Sequence, residues 1–106
     1  MAEKRKYEMK PCVVAISRYP SHKASEVGEK AVEAFKKYPR DAIGSTYLFS
    51  LGNKTFDGFE IVSITETPED KVWAEFDHQM QRQRVYDGIE GYESTVEIRA
   101  KFEQRE

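Results

Sequence analysis

Few side chains in this sequence are equipped for covalent or acid–base chemistry. In 106 residues there are two histidines, His22 and His78, and one cysteine, Cys12. A thiolate nucleophile needs a base or a positive field beside it, and Cys12, at the start of a β-branched run, has neither close in sequence and reads as a small buried hydrophobe. An unperturbed imidazole titrates near neutral pH. On a helical wheel, however, His78 has Lys71, Glu75 and Arg82 for neighbours, the setting of a solvated surface residue. His22 lies in a turn with no carboxylate or cysteine partner nearby. One cysteine forms neither an intrachain disulfide nor a cysteine-based metal cluster. No Walker loop, His-Glu-x-x-His pair or Gly-x-Gly-x-x-Gly after a strand occurs. The expectation is no metal and no cofactor, with no catalytic residue assignable from spacing.

The remaining candidates are for binding. Ser17, Arg18 and Tyr19 end the first predicted strand, where functional groups cluster, and with Tyr47 they are the expected polar groups at a pocket mouth. Trp73, beside Phe76 and Met80, is expected either to line a ligand cavity or to pack in the core. Nucleic acid is disfavoured as a partner. Gly88-Ile89-Glu90-Gly91 has the form of an RNA clamp but carries an acid that repels phosphate. Asp57-Gly58-Phe59-Glu60-Ile61-Val62-Ser63-Ile64 keeps the glycine and aromatic of an RNA-recognition strand but has acids at two positions.

Composition narrows the setting. The chain is 39% hydrophobic and 34% charged with a net charge of -2, enough for one domain with a modest core. No apolar run approaches the roughly 18 residues of a membrane span, and the charged start lacks a signal peptide's apolar centre, so a cytoplasmic protein is expected. Residues 1–10 set Lys4, Arg5, Lys6 and Lys10 against Glu3 and Glu8 and are expected to form a flexible basic arm; 11–106 are expected to form a single domain.

The elements that must position these groups follow from periodicity. Cys12 to Tyr19 is apolar on both alternating faces, as in a central strand. Ala24, Val27, Gly28, Ala31, Ala34, Phe35 and Tyr38 share one side of a helical wheel, with Ser21 or Ser25 as the expected cap and Pro39 as the stop. Ile43 to Leu51 and Phe59 to Glu66 read as an antiparallel hairpin around a Gly- and Asn-containing reversal. Thr67-Pro68-Glu69-Asp70 predicts a helix start. On that helix Val72, Trp73, Phe76, Met80 and Gln83 form the expected buried stripe, which leaves Val85 and Ile89 pointing elsewhere, towards a bend, a helix end or a partner protein. Ser94 to Phe102 alternates as an edge strand.

The order βαββαβ with right-handed crossovers predicts an α+β ferredoxin-like fold: a four-stranded antiparallel sheet with two helices on one face. Strands apolar on both faces then leave a bare sheet face, for which a second copy is the economical cover. In element order, element lengths and two-faced strands over about residues 11 to 104, the sequence resembles the dimeric α/β-barrel superfamily, which includes antibiotic-biosynthesis-monooxygenase-like domains. The resemblance implies a sheet-to-sheet homodimer with a small apolar or aromatic molecule between sheet and helices. It also implies an alternative, a cofactor-free monooxygenase-like enzyme with Trp73, Tyr47, Arg18 and His78 placing an aromatic substrate. The haem-degrading branch of that superfamily carries an asparagine on its first strand with a tryptophan and a histidine elsewhere; residues 12–19 here hold no asparagine, and His78 projects about 180° from the middle of the Val72, Phe76 and Met80 stripe.

Overall fold

The computed structural model describes residues 6–105, with side chains over 10–102. Strand β1 (Lys6–Pro20) is followed by helix α1 (Ala24–Lys37), the hairpin of β2 (Thr46–Lys54) and β3 (Gly58–Glu66), helix α2 (Val72–Arg84) and strand β4 (Glu93–Arg105). The strands form one four-stranded sheet in the order β2-β3-β1-β4, and every pairing is antiparallel. This is the expected ferredoxin-like arrangement. Of the expected arm, residues 1–5 lie outside the described residues. Lys6 to Lys10 belong to β1, because the β1–β4 ladder continues beyond the domain boundary expected at Pro11, to Lys6 opposite Arg105.

Register decides which face each strand shows the helices, a matter that two-faced strands leave open in sequence. Val13 pairs with Thr65, Ala15 with Ser63, Ser17 with Ile61 and Tyr19 with Phe59 on one face; Val14 with Ile64, Ile16 with Val62 and Arg18 with Glu60 lie on the other. The first set faces the helices, so the inner face of the sheet carries several hydroxyls. On β1 and β3 the outer face carries the larger share of β-branched aliphatics, Val14, Ile16, Val62 and Ile64 against Val13 and Ile61.

Helix α1 follows the expected wheel, burying Val27 and Ala34. Its cap does not. A 3-10 turn over Ser21–Lys23 precedes it, and no side chain caps either start. Ser21 is engaged with the β2–β3 turn instead, its amide donating to the Asp57 carbonyl at 3.0 Å and its hydroxyl accepting from Lys54 Nζ at 3.1 Å. Thr67 likewise does not cap α2: its hydroxyl is buried without a hydrogen-bond partner, and the helix begins only after a second 3-10 turn over Glu69–Lys71.

The buried face of α2 corrects the expected stripe. Val72, Glu75, Gln79 and Arg82 face inward, followed by Tyr86. At 3.6 residues per turn this face is rotated by about 110° from the one that Trp73, Phe76 and Met80 would define. Trp73 is 73% exposed and packs edge-on against Phe76 on the helix surface. The rotation also disposes of the partner-docking expectation for Val85 and Ile89. The helix ends at Arg84, and Tyr86 and Ile89 turn into a core with Val27 and Ala34, against which Val85 and Tyr19 also pack. One apolar cluster thus lies at the Tyr86–Ile89 end of the layer between sheet and helices. Elsewhere the layer mixes buried Val13, Val72 and Val96 with buried Thr65, Glu75, Gln79 and Arg82.

Candidate functional site

Between the inner sheet face and the two helices lies a cavity of about 270 Å³, lined by residues from β1, α1, β2, β3, α2 and the segment after α2. It exists because small side chains, Ala15, Ser17, Ser50, Ser63 and Thr65, line its sheet floor where a filled core would carry large aliphatics. Ser50 and Ser63 are cross-strand partners, with hydroxyl oxygens 2.8 Å apart. Tyr47 hydrogen-bonds to Ser50 through its hydroxyl. At the core end, the Tyr92 hydroxyl donates to Gln83 Oε1 at 2.6 Å and lies 3.0 Å from Ser17 Oγ. Tyr86 and Tyr92 stack with ring centroids 4.7 Å apart, and Tyr19 stacks on Tyr92 at 6.3 Å.

Two guanidinium groups enter this lining. Arg82, on the inner face of α2, is only 7% exposed. Its Nε donates to the Tyr38 carbonyl at 3.0 Å, while its Nη2 is buried with no partner. Arg40, in the loop after α1, lies 3.7 Å from the ring centroid of Tyr47 and 4.6 Å from that of Phe35; Arg82 lies 4.7 Å from the same Phe35 ring. Phe35 therefore serves both cations as a polarisable surface. Burial, only partly offset by the charge of Glu75, pulls the Arg82 pKa down, yet a guanidinium remains protonated in proteins. Glu75 is fully buried and accepts a hydrogen bond from Gln79 Nε2 at 3.1 Å, with its other carboxylate oxygen unpartnered. Burial pushes the Tyr86 and Tyr92 phenols above their ordinary range.

Three of the five residues expected at a pocket, Ser17, Tyr19 and Tyr47, line this cavity together. The structure does not bring the other two to it. Arg18 is on the outer sheet face, paired with Glu60, and Trp73 is on the outer surface of α2. His78 lies beside Tyr38, with Nε2 at 2.8 Å from the Pro39 carbonyl. Arg40, Gln79, Arg82, Tyr86 and Tyr92 were missed. Their sequence signal was the helical spacing of Glu75, Gln79, Arg82 and Tyr86, hidden because charged and amide residues normally mark the wet side of a helix. Among the described residues no group of three or more His, Cys, Asp or Glu is placed to hold a metal ion. No helix is long and apolar enough to cross a membrane.

No protein-family model and no curated protein matches this sequence. Solved structures do match its fold. A dimeric ferredoxin-like protein from an uncultured marine organism superposes with a TM-score of 0.53 at 11% identity, over 89% of this chain and 96% of that one. A protein of Shewanella oneidensis superposes with a TM-score of 0.53 at 9% identity, over 93% of this chain and 98% of that one. At such identities the shared property is the fold.

Proposed function

We propose that this protein binds a small molecule in the chamber between sheet and helices and works as a homodimer joined through the outer sheet faces. The binding reading rests on one observation above all: the layer that should be solid core instead holds a cavity into which a buried arginine with an unpartnered nitrogen is built. Burying a guanidinium without a carboxylate partner is costly to the fold, and a cavity with a few convergent polar groups is where a ligand would offset that cost. Ser17, Tyr19 and Tyr47 supply contacts from the sheet. Cytoplasmic work is in keeping with a free, buried Cys12.

The homodimer reading rests on the outer face. Val14, Ile16, Val62 and Ile64 form its centre by register, with Phe49 and Leu51 from β2 beside them. The charged pairs Arg18–Glu60 and Arg99–Glu97 stand around it. An apolar centre inside a polar rim is the anatomy of an interface. Leu51, 58% exposed, stands out from this face, and a hollow of about 330 Å³ lined by Val14, Leu48, Phe49 and Ile64 lies on the same face. A knob and a hollow on one surface are what a twofold contact requires. The dimeric relative of the same fold agrees with this reading. The catalytic alternative, oxygenation of a ring in the same chamber, has no observation of its own in its favour, since neither Trp73 nor His78 lines the cavity.

A fragment screen by amide chemical-shift perturbation on the full chain tests the binding reading. Small cyclic fragments are expected to shift residues of the lining, such as Ala31, Tyr47 and Ser63, and an Ala31→Phe variant, which fills the space, is expected to abolish those shifts. Fragments that perturb only the outer surface would overturn it.

A further inference from the structure

The charge balance of the chamber says more than that it binds. Its lining contains two arginines, Arg40 and Arg82, and no aspartate or glutamate. Neither arginine forms an ion pair among the described residues. Glu75 is felt by Arg82 electrostatically, but its hydrogen-bond partner is Gln79 and it is not part of the lining. Buried Arg82 and half-buried Arg40 thus face a partly enclosed space with no carboxylate in its lining. In such a space a charge-assisted bond gains strength, and a guanidinium presents paired donors that match a carboxylate.

The rest of the chamber describes what carries that anion. Stacked Tyr86 and Tyr92 with Phe35, Val27 and Ala31 make an apolar and aromatic side. The hydroxyls of Ser17, Ser50 and Ser63 lie on the sheet floor. A cavity of roughly 150 Å³ holds a benzene ring. The 270 Å³ here therefore suits one ring with a charged group and a small polar substituent. Resting on the reading that this chamber binds a small molecule, we propose that its ligand is a small aromatic carboxylic acid, the carboxylate held by Arg40 and Arg82 and the ring packed on Phe35 and the tyrosine stack.

The test titrates the full chain with benzoate and 4-hydroxybenzoate, with the uncharged benzamide and phenol, and with inorganic phosphate, following the lining amides by NMR. The benzoates should bind at least about tenfold more tightly than the uncharged rings, with 4-hydroxybenzoate the tightest, because each charged hydrogen bond is worth about ten- to a hundredfold in affinity. Arg40→Gln, a change at a half-exposed residue, should weaken benzoate about tenfold and leave phenol unchanged. Arg82→Lys should keep the charge but lose the paired donors and weaken benzoate similarly, with thermal unfolding monitored to show that both variants fold. Uncharged rings binding the chamber as well as benzoate, or Arg40→Gln without effect on benzoate, would overturn the acid and leave the chamber reading intact. Phosphate binding as tightly as benzoate would overturn the ring. Binding by none of these probes, with no fragment reaching the lining, would overturn both readings.

Discussion

Tyr92 shows how one buried side chain couples the chamber to the stability of the fold. Its hydroxyl bridges Gln83 on α2 and Ser17 on β1, and its ring completes a stack with Tyr86 and Tyr19. Burial raises the pKa of both Tyr86 and Tyr92 above the ordinary tyrosine value near 10. The unfolded chain therefore loses these protons at lower pH than the native one does. Their contribution to stability is complete below about pH 10 and declines as pH rises through that value towards the native pKa. A spectrophotometric titration of the six tyrosines should show a fraction that ionises late, and the urea midpoint should fall between pH 9 and pH 11. Tyr92→Phe should cost about 1–2 kcal/mol at neutral pH through the lost hydrogen bonds, and it should also flatten the decline in alkali. A Phe variant with parental stability would show that the bridge contributes nothing.

At the scale of the element, α2 and the β2–β3 hairpin carry the sharpest tests. The rotation of α2 puts Trp73, the only tryptophan, in water. Its fluorescence should resemble that of free tryptophan and be quenched readily by iodide, and Trp73→Gln should change stability by no more than about 0.5 kcal/mol. A blue-shifted, protected tryptophan would restore the stripe read from sequence. Ile89 is the converse. Buried with Val27, Ala34 and Tyr86, it should cost about 2–5 kcal/mol on change to alanine, measured by denaturant unfolding; a residue waiting for a partner would cost almost nothing. The hairpin is held by Gly58, where a Cβ would sit 2.0 Å from the Tyr19 carbonyl oxygen. Gly58→Ala should therefore destabilise by about 1–3 kcal/mol or more, because the nearest atoms are backbone and cannot rotate away. Both strands of the hairpin were legible from alternation and turn residues, although β2 runs Thr46–Lys54 rather than Ile43 to Leu51. The tightness of the turn, with the Thr55 amide donating to the Gly58 carbonyl at 2.8 Å, was not, since Asn53 and Gly52 advertise a turn that the strand passes straight through.

The whole molecule is longer than a self-contained domain of its size. Its radius of gyration is 16.1 Å, against about 13 Å for a compact chain of this length. Much of the difference lies in the β1–β4 ladder, which runs from Lys6 opposite Arg105 while β3 joins β1 only at Cys12. A bare two-stranded ribbon is marginal in water, and a second copy laid on the same side of the sheet would steady it. Leu51→Asp, at the exposed knob on the β2 side of that face, should weaken self-association by at least about tenfold, as a carboxylate in an apolar contact must be desolvated without a partner. Sedimentation or light scattering across a dilution series would measure this. A parental protein that is monomeric throughout would remove the homodimer from the proposal.

The order of elements, the fold class, the edge position of β4 and the buried face of α1 can all be read along the chain, because each follows from a local period or a short-range stop. The sequence also brought Ser17, Tyr19 and Tyr47 into consideration through their place at strand ends and on an alternating strand. The tertiary structure alone decided the rest. Strand phase depends on pairing register, and register here came from partners tens of residues away. The inward face of α2 was settled by what it meets. Arg82 reaches the Tyr38 carbonyl beyond the end of α1 and Gln79 bonds to Glu75 on its own helix, and local hydrophobicity, which pointed to Trp73, carries no record of these partners. The chamber and its two unpaired cations arise only where α1, α2 and the sheet come together, so no window of the sequence contains them.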